Sequence, residues 1–179
     1  PYDAKGLLIS AIEDDDPVIM IENIMAYGQM GPAPAPGYRV PLGKAAIARE
    51  GTDVTVIAYG RAVLDALAVA EKLAEEGVSA EVIDLRTIAP FDEATVFASV
   101  AKTGRAVVVH EAVKAYGTGA EIASRITEEL WDNLKAPVAR VGSTYSPVPF
   151  SPPLEKAWIY SQEQIAAAVR GTIERRARG

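Results

Sequence analysis

Between Asp53 and Asp92 the spacing of apolar positions switches between two rhythms. Asp53 to Tyr59 is an apolar, β-branched run, the pattern of a strand buried on both faces. Val63, Ala66, Leu67, Ala70, Leu73 and Ala74 then recur at three- and four-residue steps, which places them on one face of a helix. Gly77 stands where a left-handed residue would end that helix, and Ala80 to Leu85 is the next apolar run. Strand, crossover helix and strand of this size predict a parallel βαβ unit.

The same alternation continues downstream. Pro90 ends a loop and Asp92 is an N-cap for a helix with Val96, Phe97 and Val100 on one face, stopped at Gly104. Ala106 to Val109 is a third strand, ending at His110 and Glu111. After a loop over 112–119, Glu121 to Leu134 reads as a helix with Ile122, Ile126, Leu130 and Leu134 inward, and Pro137 to Val141 as a fourth strand. Residues 142–153 read as irregular and proline-rich. Ser161 and Gln164 form a capping box for a last helix with Ile165, Val169 and Ile173 inward, and Arg175, Arg176 and Arg178 complement its C-terminal dipole. Strands alternating with helices predict an α/β, three-layer, doubly wound domain over 45–179.

Upstream the pattern is thinner. Residues 3–12 predict an amphipathic helix entered at Asp3, with Leu7, Leu8, Ala11 and Ile12 on its apolar face. A carboxylate turn closed by Pro17 leads to a strand at Val18 to Ile21. One helix and one strand bury each other poorly, so 1–27 are expected to be the end of a second α/β domain. The proline- and glycine-rich stretch 28–37 is the expected boundary, with 38–44 an extended lead-in.

Composition narrows the chemistry. The 179 residues are 49% hydrophobic and contain no cysteine, which removes disulfides, thiolate metal sites and cysteine nucleophiles and fits a cytoplasmic protein. A net charge of −6 argues against general nucleic-acid binding. No apolar run approaches the roughly 20 residues of a membrane span. The chain begins at Pro1 in helix-like sequence, so it is expected to be part of something longer.

A doubly wound sheet raises the question of nucleotides. The turn after the first strand holds Gly60 alone, followed by Arg61, and neither a dinucleotide fingerprint nor a P-loop is present. Gly117-Thr118-Gly119 precedes a helix, but Ile122 replaces a third glycine and Glu121 would repel an anion; close packing of the loop on the sheet is the competing reading. His110, the one histidine, ends a strand on the ligand side of the sheet, with a contact role and a hydrogen-bonded structural role both open. Arg86 either holds an anion or pairs with Asp84 or Asp92. The Glu13–Asp16 turn is either a solvated acidic turn or a hard-cation site with oxygen ligands. No nucleophile elbow occurs, and no catalytic constellation emerges from the residues alone.

Longer motifs carry a resemblance. DAKGLL-x-x-AI followed by DPVIMIEN, PLGKA-x-I-x-REG-x-DVTV, EVIDLRTI-x-P-x-D, KTGR, G-x-GAEI and APV-x-RV, in this order, resemble the β subunits of thiamine-dependent 2-oxo acid dehydrogenases of the pyruvate dehydrogenase type, along essentially the whole chain. The resemblance implies that 1–27 end the pyrimidine-binding domain and that 45–179 are a transketolase C-terminal domain. It also implies an α2β2 oxidoreductase in which this portion assembles with an α subunit and a second β subunit and docks the lipoyl-bearing acyltransferase. The family's activating glutamate and active-site histidine lie upstream of Pro1, so His110 is not that histidine. Thiamine diphosphate and magnesium belong to the parent enzyme, held by the α subunit, and this portion alone is expected neither to bind the cofactor nor to be active. A structural potassium ion is implied at the AIEDDDP turn, with Ala11, Ile12, Asp14 and Asp16 as ligands, partly through main-chain carbonyls and completed by an upstream loop.

Within the family, the ENIMAYG stretch at 22–28 is similar to pyruvate and acetoin members, whereas branched-chain members tend to carry Glu-Pro in place of Glu-Asn. This points to pyruvate. The stretch GSTYSP departs from the family's G-x-D-x-P, with Tyr145 at the aspartate position near the partner-docking side. The alternatives are a non-catalytic assembly module, an acetoin or branched-chain enzyme, and another transketolase-like enzyme such as a deoxyxylulose phosphate synthase, the last disfavoured by DLRTIAPFD and GAEI.

Overall fold

A computed structural model describes residues 1–175. In chain order the elements are α1 (Tyr2–Glu13), β1 (Ala46–Arg49), β2 (Val54–Ala58), α2 (Arg61–Glu75), β3 (Ala80–Asp84), α3 (Glu93–Thr103), β4 (Ala106–Val113), α4 (Thr118–Leu130), β5 (Ala139–Ser143), α5 (Pro152–Trp158) and α6 (Gln162–Glu174). Single 3₁₀ turns lie at Ile24–Ala26 and Trp131–Asn133.

The five strands form one sheet in the order β1-β3-β2-β4-β5, parallel except for β1, which pairs antiparallel with β3. Alternation along β2 shows how the layers arise. Val54, Val56 and Ala58 face the cluster built from α2 and α6, with Val63, Val69, Leu73, Ile165 and Val169. Ile57 faces the other cluster, built from α3 and α4, with Val96, Val100, Ile122 and Ile126. These side chains are almost fully buried, each contributing about 1.5–3 kcal/mol on leaving water. The expected three-layer α/β architecture is the observed one.

The caps follow the chemistry of their residues. Asp92 accepts from the Thr95 N–H at 3.2 Å, and its carboxylate also accepts from Ala45 N–H at 3.2 Å, so one side chain starts α3 and holds the approach to β1. Ser161 and Gln164 form both halves of the capping box. Gly77 and Gly104 adopt the positive φ of left-handed caps.

Several expectations need correction. Val18 to Ile21 is not a strand: no strand among the described residues lies beside it to pair its backbone, and Ile19 and Ile21 are exposed. Asp3 sits inside the first turn of α1, whose N-cap is Pro1. Directly after the lead-in lies β1, an unexpected edge strand with a register shift between Ile47 and Arg49. β4 runs on to Val113, α4 starts at Thr118 and ends at Leu130, and β5 is Ala139–Ser143, beginning beyond Pro137, which lacks a ladder N–H. The stretch read as irregular contains α5, begun by prolines at its first positions, where a missing N–H costs nothing. Of the basic residues placed at the end of α6, Arg175 is its C-cap, and Arg176 and Arg178 lie outside the described residues.

The helix α1 docks on the domain through specific contacts. Gly6 is buried against Tyr38 and Val40, and a Cβ there would lie 2.5 Å from Val40 Cγ2. The Ser10 hydroxyl donates to the Val40 carbonyl at 2.7 Å, and Arg39 pairs with Glu13. Tyr2 and Tyr38 meet edge-on with ring centres 4.2 Å apart.

Candidate functional site at the carboxyl end of the sheet

β2 is followed by a helix on one face and its neighbour β4 by a helix on the other. The crevice between their carboxyl ends is the topological switch point, where open α/β sheets take ligands. Tyr59, Gly60 and Arg61 leave β2 there, and His110 and Glu111 lie there on β4. This arrangement places His110 where the sequence put it, on the ligand side.

The interior of the crevice is filled. His110 is fully buried, and its Nδ1–H donates to the Ala112 carbonyl at 3.0 Å. That fixes the lone pair on Nε2, which has no hydrogen-bond partner. Burial pushes the imidazole pKa down, so the ring is neutral. Three glycines press on it: a Cβ on Gly119 would lie 2.5 Å from Nε2, and one on Gly117 or Gly142 would lie 2.9 or 3.0 Å from Cε1. Tyr59 stacks nearby, with ring centres 6.2 Å apart. The glycines of the Gly117–Gly119 loop thus serve close packing against the sheet, and no phosphate cradle is formed.

At the mouth of the crevice sits a polar tether. Glu111 accepts from Asn23 Nδ2 at 2.7 Å, and Arg61 Nη1 lies 3.8 Å from its other oxygen. Asn23 also caps the turn at Ile24–Ala26 by accepting from Met25 N–H at 3.0 Å, and the Tyr27 hydroxyl donates to Glu22 at 2.7 Å. The ligand side of the sheet is therefore used to hold the 22–27 segment. Behind Arg61, Asp65 accepts from the Tyr160 hydroxyl at 2.9 Å and from Gln162 Nε2 at 3.1 Å; burial, with Asp65 beside it, raises the Tyr160 pKa. The tether has a sequence signal, a carboxylate two positions after the apolar run Val107–Val109 of a central strand, but its partner comes from far away in the chain.

Arg86 does not take Asp84 or Asp92 as its ion-pair partner. It holds a left-handed φ of 58° and its Nη2 reaches Asp3 Oδ1 of α1 at 2.7 Å. Asp84 instead accepts from the Arg86 backbone N–H at 3.0 Å, and burial raises its pKa. At the acidic turn, Asp14 Oδ1 accepts from Asp16 N–H at 2.9 Å, and Asp14, Asp16 and Ile12 are exposed while Ala11 is half-buried. Among the described residues no cluster of three or more His, Asp or Glu side chains converges in a metal-holding arrangement. Tyr145 is exposed beside Tyr116.

The opposite end of the sheet holds a group absent from the sequence reading. Glu81, inside an apolar strand, is fully buried and pairs with Lys102 and the Ser99 hydroxyl. Gly51 N–H donates to it at 3.2 Å, and Thr55 links Ser99 and Thr103 at 2.7 and 2.9 Å. Burial pushes the carboxyl pKa up, but these hydrogen bonds outweigh it and hold the group below its usual range. Ser99 and Thr103, one turn apart on a helix face otherwise apolar, were the available signal.

A family model described as the transketolase C-terminal domain matches residues 43–165. The acetoin:2,6-dichlorophenolindophenol oxidoreductase subunit beta of Cupriavidus necator is 47% identical over 174 residues, covering 97% of this chain and 52% of that protein. The pyruvate dehydrogenase E1 component subunit beta is 44% identical in Bacillus subtilis and 43% in Staphylococcus epidermidis, each covering 97% of this chain and 54% of the relative. The chain thus spans about half the length of the curated relatives it matches. A solved split-gene transketolase, described as an inactive β4 tetramer, superposes with a TM-score of 0.65 at 28% identity, covering 79% of this chain and 45% of that one. With the family model matching well over half of its residues, the chain belongs to the transketolase C-terminal domain family, and along 97% of its length it is similar to β subunits of pyruvate dehydrogenase and acetoin oxidoreductase.

Proposed function

We propose that the chain is the C-terminal portion of the β subunit of a thiamine diphosphate-dependent 2-oxo acid dehydrogenase, with pyruvate the favoured substrate and acetoin the second. The observation that carries this reading is the reach of the similarity: it extends over 97% of the chain, through α1 and the linker, well beyond residues 43–165. Residues 1–27 are then the end of the pyrimidine-binding domain, and the exposed Ile19, Ile21, Ile24 and Met25 are the face that the rest of that domain covers. Partners are an α subunit, a second β subunit and a lipoyl-bearing acyltransferase.

The Gly117–Gly119 loop does not fit a diphosphate, since it is packed on His110. No step is assigned to the residues of this chain; thiamine diphosphate, where bound, supplies the chemistry of carbon–carbon cleavage. What this chain contributes is position, through the contacts of Asn23 with Glu111 and of Arg86 with Asp3. Asn23 uses a side-chain N–H that proline lacks, which gives the Glu-Asn pair a physical role. The test is turnover by the full-length β subunit with its α partner on pyruvate, acetoin and a branched-chain 2-oxo acid. Turnover of pyruvate ahead of the others is expected; preference for the branched-chain acid overturns the substrate, and no turnover of any leaves the assembly module as the function.

The potassium site belongs to the same reading. Among the described residues no N–H outside α1 donates to the Ala11 or Ile12 carbonyl, and the last turn of α1 has no basic residue. A cation there would meet the negative end of the helix. With Asp14 and Asp16 as further ligands, the full-length protein should melt higher in potassium chloride than in tetramethylammonium chloride of equal strength, and Asp14→Ala should remove the difference. Equal melting in both salts overturns the site.

A further inference from the structure

We propose that Arg61 is a positioning residue: its charge keeps Glu111 in place as the acceptor for Asn23, and so fixes the 22–27 segment over the mouth of the crevice. Arg61 stands between two carboxylates, with Nη1 3.8 Å from Glu111 Oε1 and Nε 3.9 Å from Asp65 Oδ2. Among the described residues no other cation pairs with either. Both separations are too long for hydrogen bonds, so the guanidinium acts on the two groups as a charge. Its place in the chain agrees. Arg61 is the first residue of α2, directly after Gly60 with its φ of 58°. A cation at a helix N-terminus opposes the helix dipole, and no acidic residue lies in that first turn. Glu111 and Asp65 supply the charge that offsets it.

The two carboxylates differ in what else holds them. Asp65 is anchored, since its Oδ2 accepts from the Tyr160 hydroxyl at 2.9 Å and its Oδ1 from Gln162 Nε2 at 3.1 Å. Glu111 is half-buried, and its other oxygen accepts from Asn23 Nδ2 at 2.7 Å. The Asn23 amide is used at both ends, because its Oδ1 accepts from Met25 N–H at 3.0 Å. In the same turn Ala26 N–H and Tyr27 N–H donate to the carbonyls of Asn23 and Ile24. Without the cation the two carboxylates repel each other, and Glu111 is the one less firmly held. Its swing into water would take the acceptor from Asn23 and release the turn.

That the 22–27 segment serves substrate choice rests on the reading above; that Arg61 holds it does not. Hydrogen exchange read by mass spectrometry on the full-length protein follows the turn directly, in peptides that carry the Met25, Ala26 and Tyr27 amides. Exchange there should be about fivefold faster in Arg61→Gln, and faster in the parent at high salt, since Arg61 and Glu111 are both partly exposed. Arg61→Lys keeps the charge and should hold the parental rate. Arg61→Gln combined with Glu111→Gln removes the carboxylate that needs a counter-ion, while the new amide oxygen still accepts from Asn23, so the slow rate should return. Arg170→Gln breaks an exposed pair with Glu76 and should change nothing at 22–27. Exchange in α3, on the other face of the sheet, checks that each variant is folded. Unchanged exchange in Arg61→Gln overturns the proposal. So does equal acceleration in Arg61→Gln and Arg61→Lys, no recovery in the double variant, or the same acceleration in Arg170→Gln. Turnover of pyruvate by the parent with its α partner is measured alongside. Its absence overturns the dehydrogenase reading and leaves the exchange result standing, so the two fail separately.

Discussion

The two ends of the sheet treat buried polar groups in opposite ways. At the amino end Glu81 is a charge sealed in the core, and its contacts come from a lysine, a hydroxyl and a backbone N–H. At the carboxyl end His110 is neutral, and its Nε2 is buried against glycines with no partner. Full satisfaction at one end fixes α3 on β2 and β3. At the other end a nitrogen is left unsatisfied, and a tether reaches Asn23 and holds the 22–27 segment. The difference teaches that burial alone does not identify function; the accounting of partners does.

Breaking the amino end should cost most. Lys102→Met leaves Glu81 buried without its cation, and should lower unfolding free energy by about 3 kcal/mol, the low end for a broken buried pair because water reaches the half-exposed ammonium. Urea unfolding measures this, and a loss below about 1 kcal/mol would place the pair among surface ion pairs. Gly119→Ala should follow, since its Cβ meets a packed ring: about 1–3 kcal/mol is expected from overpacking. Adding His110→Ala should recover part of that loss; strict additivity would mean the ring is not the obstacle.

Acid should separate the two ends with the smallest effect. His110 has a folded pKa below the ordinary 6.5, so the unfolded chain binds the extra proton first, and its contribution to stability is complete above 6.5 and lost as pH falls toward the folded value. Glu81, held below the ordinary 4.5, contributes above 4.5 and loses it only as pH falls through its own lower value. Melting temperature against pH should therefore drop in two stages, the first flattened in His110→Gln. An unchanged first stage in that variant would assign it to other groups.

Much of this was legible in the sequence because it is local. The βαβ rhythm from Asp53 to Leu85, the Asp92 cap and the Ser161–Gln164 box depend on residues within a few positions of one another. The errors lie where the partner is distant. Val18 to Ile21 has strand composition but no strand beside it, and Arg86 had two carboxylates close in sequence yet took a third from α1. β1 was hidden because an edge strand with a register shift carries little alternation. For the candidate site, the sequence placed His110 and the glycine loop in the right region but did not reveal that they pack on each other.

The sequence by itself determined the layers of the sheet, the caps of the helices and, through its motifs, the family. Only the tertiary structure decided that the switch point is filled by His110 and its glycines, that Asn23 closes its mouth, and that Arg61 stands between Glu111 and Asp65. The physical reason is range. Periodicity and capping act within a few residues of chain, whereas a hydrogen bond between Asn23 and Glu111 exists only once the fold has brought the two together.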